Sequence, residues 1–219
     1  MKYFKIVVIF AIAMALVGCR GDRVIKDKDL ESNYENMTIG NDGINGYTLD
    51  MRISGNIDNN SVNEIIRINN YDNRDFQISI TNTLSSENNE ETYYILGNEK
   101  YLLGSDDEVN KIEENIRFEN SNVILDVLKN ITKKSEPITE TIANNQYTLY
   151  DVEVLSDVIN NILDEGSFGL KTNENIPAKI YIDSDGYVYR IVFSVEELRI
   201  NATFYGINNS RPVELPEND

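Results

Sequence analysis

The sequence contains no histidine, no tryptophan and a single cysteine in 219 residues. Without histidine there are no imidazole general bases, no Ser-His-Asp triads and no His-ligated metals. One cysteine excludes an internal disulfide and any Cys-rich zinc or iron–sulfur site. Basic residues are scarce too: 20 Lys and Arg face 37 Asp and Glu, for a formal charge of -17. No cluster of Lys and Arg offsets this locally. So acidic a surface repels phosphate backbones and anionic headgroups, which argues against nucleic-acid binding. What remains for chemistry is carboxylates, hydroxyls, tyrosine, lysine and arginine. Apolar residues make up 41% of the chain, enough for a real core. The length suits one domain of ordinary size with extensions. Abundant Asn and Ile with no Trp point to AT-biased codons in a low-GC bacterium. Triplets such as Asn36-Met37-Thr38 then arise by chance and are not read as glycosylation sites.

The single cysteine sits in "MALVGC", residues 14–19. Lys2 and Lys5 precede an uninterrupted apolar run from Ile6 to Val17. A basic start followed by such a run is the layout of a secretory signal peptide. The run falls short of the roughly 20 residues that span a bilayer, so a permanent transmembrane helix is the weaker reading. Leu16-Val17-Gly18-Cys19 resembles the bacterial lipobox. The resemblance implies cleavage between Gly18 and Cys19, with a diacylglyceryl group on the Cys19 thiol. The alternative is an ordinary secretory signal with an incidental cysteine. Two or more acyl chains on one residue give a long-lived anchor where one gives only marginal binding.

Residues 20–45 are polar and mixed in charge, with no helical stripe, and read as a tether. The organisation expected is therefore a signal peptide over 1–18, a lipidated Cys19 and polar tether over 19–45, and one β-rich domain over 46–219.

From Gly46 the pattern has period two. Tyr47, Leu49, Met51 and Ile53 alternate with Thr48, Asp50, Arg52 and Ser54, as in a half-buried strand. Further strands are expected over 62–71, 76–81, 92–96, 99–103, 138–143, 146–154, 178–182, 187–195, 198–204 and 213–215. The turns between them are Asp58-Asn59-Asn60, "YDNRD", Gly97-Asn98, Asn144-Asn145 and Asp183-Ser184-Asp185-Gly186. Residues 105–115 form an acidic loop or weak helix. Val123, Ile124, Val127, Leu128 and Ile131 fall at helical spacing over 121–134, with Ser121 or Asn122 as N-cap. A second helix is predicted over Ser156–Glu165, with Val158, Ile159, Ile162 and Leu163 inward and Gly166 as its C′ residue. Strands joined by short turns pair antiparallel. The fold class is α+β: a large curved antiparallel sheet of about ten strands, with two or more helices covering one face.

The meander from Tyr47 to Leu103, the inserted helices and the series "AKIYIDSDGYVYRIVF…ATFYGINNSRPVELP", together with the lipobox, resemble the LolA/LppX-like envelope lipid carriers. The resemblance implies a half-barrel whose inner face is covered by the helices. It also implies a hydrophobic ligand held between sheet and helices. Val123, Ile124, Val127, Leu128 and Ile131 would then line that space.

Other candidates read as structure. "DSDG" at 183–186 lacks the remaining ligands of a calcium loop and is flanked by strands, so it is a hairpin turn. "GSDDE" at 104–108 is a solvated acidic loop. Glu113-Glu114 and Glu196-Glu197 are sequence neighbours, which point apart on a strand or a helix, so neither places two carboxylates around one bond. No catalytic residue, metal or cofactor is assigned. The expected protein is a membrane-anchored envelope lipoprotein, non-catalytic, that binds a lipid or similar hydrophobic ligand. The alternative is an interaction or sensor lipoprotein with a filled core that recognises a protein partner.

Overall fold

The computed structural model describes residues 44–84, 89–104 and 106–216. Twelve strands form one antiparallel sheet: β1 (Gly46–Ile57), β2 (Asn60–Tyr71), β3 (Asp75–Asn82), β4 (Asn89–Leu96), β5 (Glu99–Leu103), β6 (Val109–Ile112), β7 (Ile131–Lys134), β8 (Ile138–Ile142), β9 (Asn145–Val154), β10 (Ile176–Ile182), β11 (Val188–Val195) and β12 (Leu198–Tyr205). Their order is β6-β5-β4-β3-β2-β1-β12-β11-β10-β9-β7, with β8 beside β7 on the same edge of β9. The two ends do not meet, so the sheet is an open half-barrel. A 3-10 helix (Ser121–Lys129) and one α-helix, α1 (Ser156–Glu165), lie against its inner face. No helix among the described residues is long and apolar enough to cross a membrane.

Period two holds where it was clearest. Tyr47, Leu49, Met51 and Ile53 of β1 are all fully buried, as are Ile66 and Ile68 opposite them. Short turns with left-handed backbone join the strands, two residues long at Asp58-Asn59 and Ala143-Asn144 and three at Asp72-Asn73-Arg74; Asp58, Asn59, Asp72, Asn73, Ala143 and Asn144 all have φ between +49° and +71°. Asn and Asp tolerate that region better than most residues. In the 183–186 turn, the Asp183 carboxylate accepts the backbone N–H of Asp185 (3.0 Å) and of Tyr187 (2.8 Å), which is the chemistry of an Asx turn.

Five expectations need correction. The sheet has twelve strands rather than about ten. The acidic stretch contributes β6, and the end of the first expected helix is β7. That helix is a 3-10 helix ending at Lys129, and Ile131 lies on a strand. Its β-branched content (Val123, Ile124, Val127) weakens α propensity, and the β-branched Ile131 and Thr132 favour extended backbone instead. Its cap position is Asn120, while Ser121 lies inside the helix, buried against Tyr47. Residues 213–215 join no ladder, although Val213 is buried.

Gly166 is the fifth. It closes α1, but at φ −77° it is right-handed, and Ser167 takes the left-handed position at φ 54°. Glycine is needed there for space. A Cβ would run into the Phe168 ring and come within 2.9 Å of Phe118 Cζ. Gly166→Ala is therefore expected to cost about 1–3 kcal/mol through overpacking, read as a lower urea midpoint at unchanged slope.

Candidate functional site

The inner face can be followed row by row. One row runs Lys134, Val152, Ala178, Phe193, Ile200, Ile53 and Glu64, from β7 across to β2. The next runs Tyr150, Ile180, Ile191, Ala202, Met51, Ile66 and Ile80. Both rows are apolar through the middle and polar at their β7–β9 end.

The two helices form a lid over this face. Ile159, Ile162 and Leu163 of α1 and Ile124 and Val127 of the 3-10 helix are completely buried within the same core as the sheet. A side chain with no accessible surface has no water-sized space beside it. Lid and sheet are thus in direct contact in this state.

Polar contacts tie the lid down at three points. The Tyr47 hydroxyl lies 2.7 Å from the Ser121 hydroxyl and donates to Asn122 Oδ1 at 3.2 Å. Burial pushes the Tyr47 phenol above its ordinary range, against the opposing hydrogen bonds of Ser121 and Asn70. Arg117, just before the 3-10 helix, donates to both carboxylate oxygens of Glu64 (3.1 and 2.7 Å) and to the Gly166 carbonyl (2.8 Å). Its guanidinium also lies 5.3 Å from the Phe168 ring centroid. Lys100 of β5 pairs with Glu119 at 2.6 Å. On the outer side, residues 115–120, the 3-10 helix and α1 border a cleft of about 700 Å³, flanked by Asp126, Asp164 and Glu165. Burial raises the Glu165 carboxyl above its ordinary range.

Among the described residues, one charged side chain, Lys134, falls in the buried class. Lys134 Nζ is buried and has no hydrogen-bond partner among the described residues, and it lies 4.1 Å from the Tyr150 ring centroid. Burial lowers its pKa from 10.5 to about 8. The unfolded chain therefore binds the extra proton between those values, so this lysine makes stability rise with pH across that window. Lys134→Met is expected to raise Tm by about 3–6 °C at pH 7, and the gain should shrink as pH approaches 10. Parallel melting curves of the two proteins at pH 7 and pH 9.5 check this.

No protein-family profile matches the chain, and no curated protein matches it in sequence. Solved structures do. LprF from Mycobacterium bovis superposes with a TM-score of 0.59 at 11% identity, covering 87% of this chain and 97% of that one. The Mycobacterium tuberculosis lipoprotein LppX gives 0.54 at 16% identity, covering 87% of this chain and 100% of that one. The domain shares the fold of LprF and LppX.

In this LppX-like domain Val123, Ile124, Val127 and Leu128 are all buried in the lid. Ile131 is separated from them, half-buried on β7 and packed on the same core. Gly18 and Cys19 lie outside the described residues. Sequence reasoning missed Arg117–Glu64, because the partners are 53 positions apart. The helix expected over 121–134 also ended on Lys133-Lys134, although their side chains go to opposite faces of a strand. Lys133 pairs outward with Glu153 at 2.5 Å, and Lys134 turns inward.

Proposed function

We propose that the chain is a cell-envelope lipoprotein, held at the extracytoplasmic face of the membrane by a lipid on Cys19. Its domain takes up a lipid or other hydrophobic ligand between sheet and lid, without covalent chemistry. The observation that carries this reading is an apolar half-barrel face covered by two short helices, in the fold shared with LprF and LppX. Uptake requires the lid to move, since lid and sheet touch in this state. The acyl surface of the ligand then replaces the lid side chains, at about 25 cal/mol per Å² of apolar area removed from water. The composition favours a low-GC Gram-positive-type cell, where the protein would face outward from the cell membrane.

Native mass spectrometry of the full chain purified from membranes tests the ligand. A noncovalent lipid is expected on the protein in addition to the mass attached at Cys19. Finding only the attached mass would count against carriage.

A specific observation supports a second reading. The interior is filled by its own side chains, as an interaction or sensor lipoprotein with a protein partner requires. That reading predicts a lid that stays shut and a domain that copurifies with protein instead of lipid.

A further inference from the structure

β7 carries a bulge. Ile131 stands opposite Val154, yet Lys133 stands opposite Glu153, so Thr132 is an extra residue in the strand. Bulges re-aim side chains. In unbroken register Lys133 would face Val152 and point inward. The bulge instead sends Lys133 outward to Glu153 and places Lys134 opposite Val152, on the apolar inner face. Thr132 Oγ1 donates to the Glu153 carbonyl at 3.1 Å, which fixes the bulge against β9.

The result is an ammonium group in an unfavourable position. Lys134 is 5% exposed and, among the described residues, its Nζ has no acceptor and faces the Tyr150 ring. A desolvated cation without a counter-charge destabilises the fold it sits in. An apolar residue at 134 would complete the row of Val152, Ala178, Phe193, Ile200 and Ile53 at no such cost. A group that weakens the fold and is aimed inward by a dedicated backbone feature is the pattern of a binding residue.

We propose that Lys134 receives the anionic headgroup of the ligand, a carboxylate or phosphate carried on an alkyl chain. This inference rests on the lipid-binding reading above and specifies its ligand. The ammonium offers three donors to anionic oxygens, and the apolar rows leading away from it accommodate the chain. A small free anion would lack the apolar part needed to reach Nζ, which has no access to solvent.

The test is native mass spectrometry of the full chain with one of four probes: palmitate, hexadecyl phosphate, hexadecanol or sodium acetate. Wild type is expected to bind palmitate or hexadecyl phosphate about tenfold or more tightly than hexadecanol, and acetate not measurably. Whichever of the two anions is preferred identifies the headgroup. In Lys134→Met and Lys134→Gln the preference should fall to within about twofold, with hexadecanol binding unchanged. A merely structural lysine would leave the preference intact. Two variants with different side chains guard against a folding defect in one. If hexadecanol binds and wild type shows no preference, or the variants keep it, this inference is overturned while lipid binding stands. If acetate binds as well as palmitate, the alkyl chain has no role and the proposal is overturned. If no alkyl probe binds, the inference and the lipid-binding reading fall together.

Discussion

With serine in place of Cys19, the chain will incorporate no alkyne-labelled palmitate and will keep its first 18 residues. The proposed lipid attachment would use the thiol, and the serine hydroxyl is far less nucleophilic at neutral pH. The change expected is from complete labelling to none. Surface charge offers no substitute for a lipid anchor. At a formal charge of -17, the protein gains no attraction from anionic headgroups. Each buried methylene contributes about 0.8 kcal/mol, so two acyl chains hold a protein that one chain would release. Simple fractionation is the wrong readout, because the uncleaved Ile6–Val17 run can itself keep the precursor at the membrane. Palmitate label and intact mass discriminate. Label on the Cys19→Ser chain would show that the lipid is attached elsewhere.

Arg117→Ala is expected to cost about 2–3 kcal/mol and to loosen the lid. Three contacts disappear together: the bidentate pair with Glu64, the bond to the Gly166 carbonyl and the stack on Phe168. The Glu64 side chain is only 15% exposed, so its carboxylate is left largely desolvated and unpaired. Most of the cost comes from that orphaned charge and not from the lost attraction. Glu64→Ala in the same chain should therefore recover part of the loss, which a double-mutant cycle measures. Tm should fall by about 5–10 °C in the single variant. Amides of α1 should exchange faster with deuterium than those of β1, because the damage is at the lid. Uniform acceleration throughout the domain would mean that lid and sheet open only as one unit.

Legibility in the sequence followed the regularity of the backbone. β1 and β2 were readable because one face is buried and one more open, so alternate residues declare their side. α1 was readable to its ends because its apolar positions, Val158, Ile159, Ile162 and Leu163, recur three and four residues apart. Failures occurred where the period breaks. In β11 alternation puts Tyr189 on the face of Ile191. The bulge between the Tyr181–Arg190 and Ile182–Val188 pairs instead turns Tyr189 outward, where it stacks on Tyr147 at 4.1 Å. Val188 is buried in the core in its place. The same kind of break at Thr132 hid Lys134. A bulge adds one residue without a side-chain signature of its own, so period counting passes over it. The Arg117 clasp was hidden for another reason. It joins segments that only the folded topology brings together.

The stripe at 123–131 shows the opposite case. Its residues were identified before its geometry was: four of the five do cover the sheet from a helix, but the helix is tighter and shorter than its spacing suggested. Burial is set by which residues are apolar. Helix type is set by backbone preferences that β-branched residues leave nearly balanced.

The central claim is that a hydrophobic ligand enters between lid and sheet. Photolysis of the full chain with a diazirine-bearing fatty acid, followed by peptide mapping, tests it most directly. The account predicts labelling of inner-face residues such as Met51, Ile53, Ile66 and Val127, all of which are inaccessible in the closed state. Labelling confined to outer positions such as Ile138 and Tyr205, which are exposed already, would contradict it.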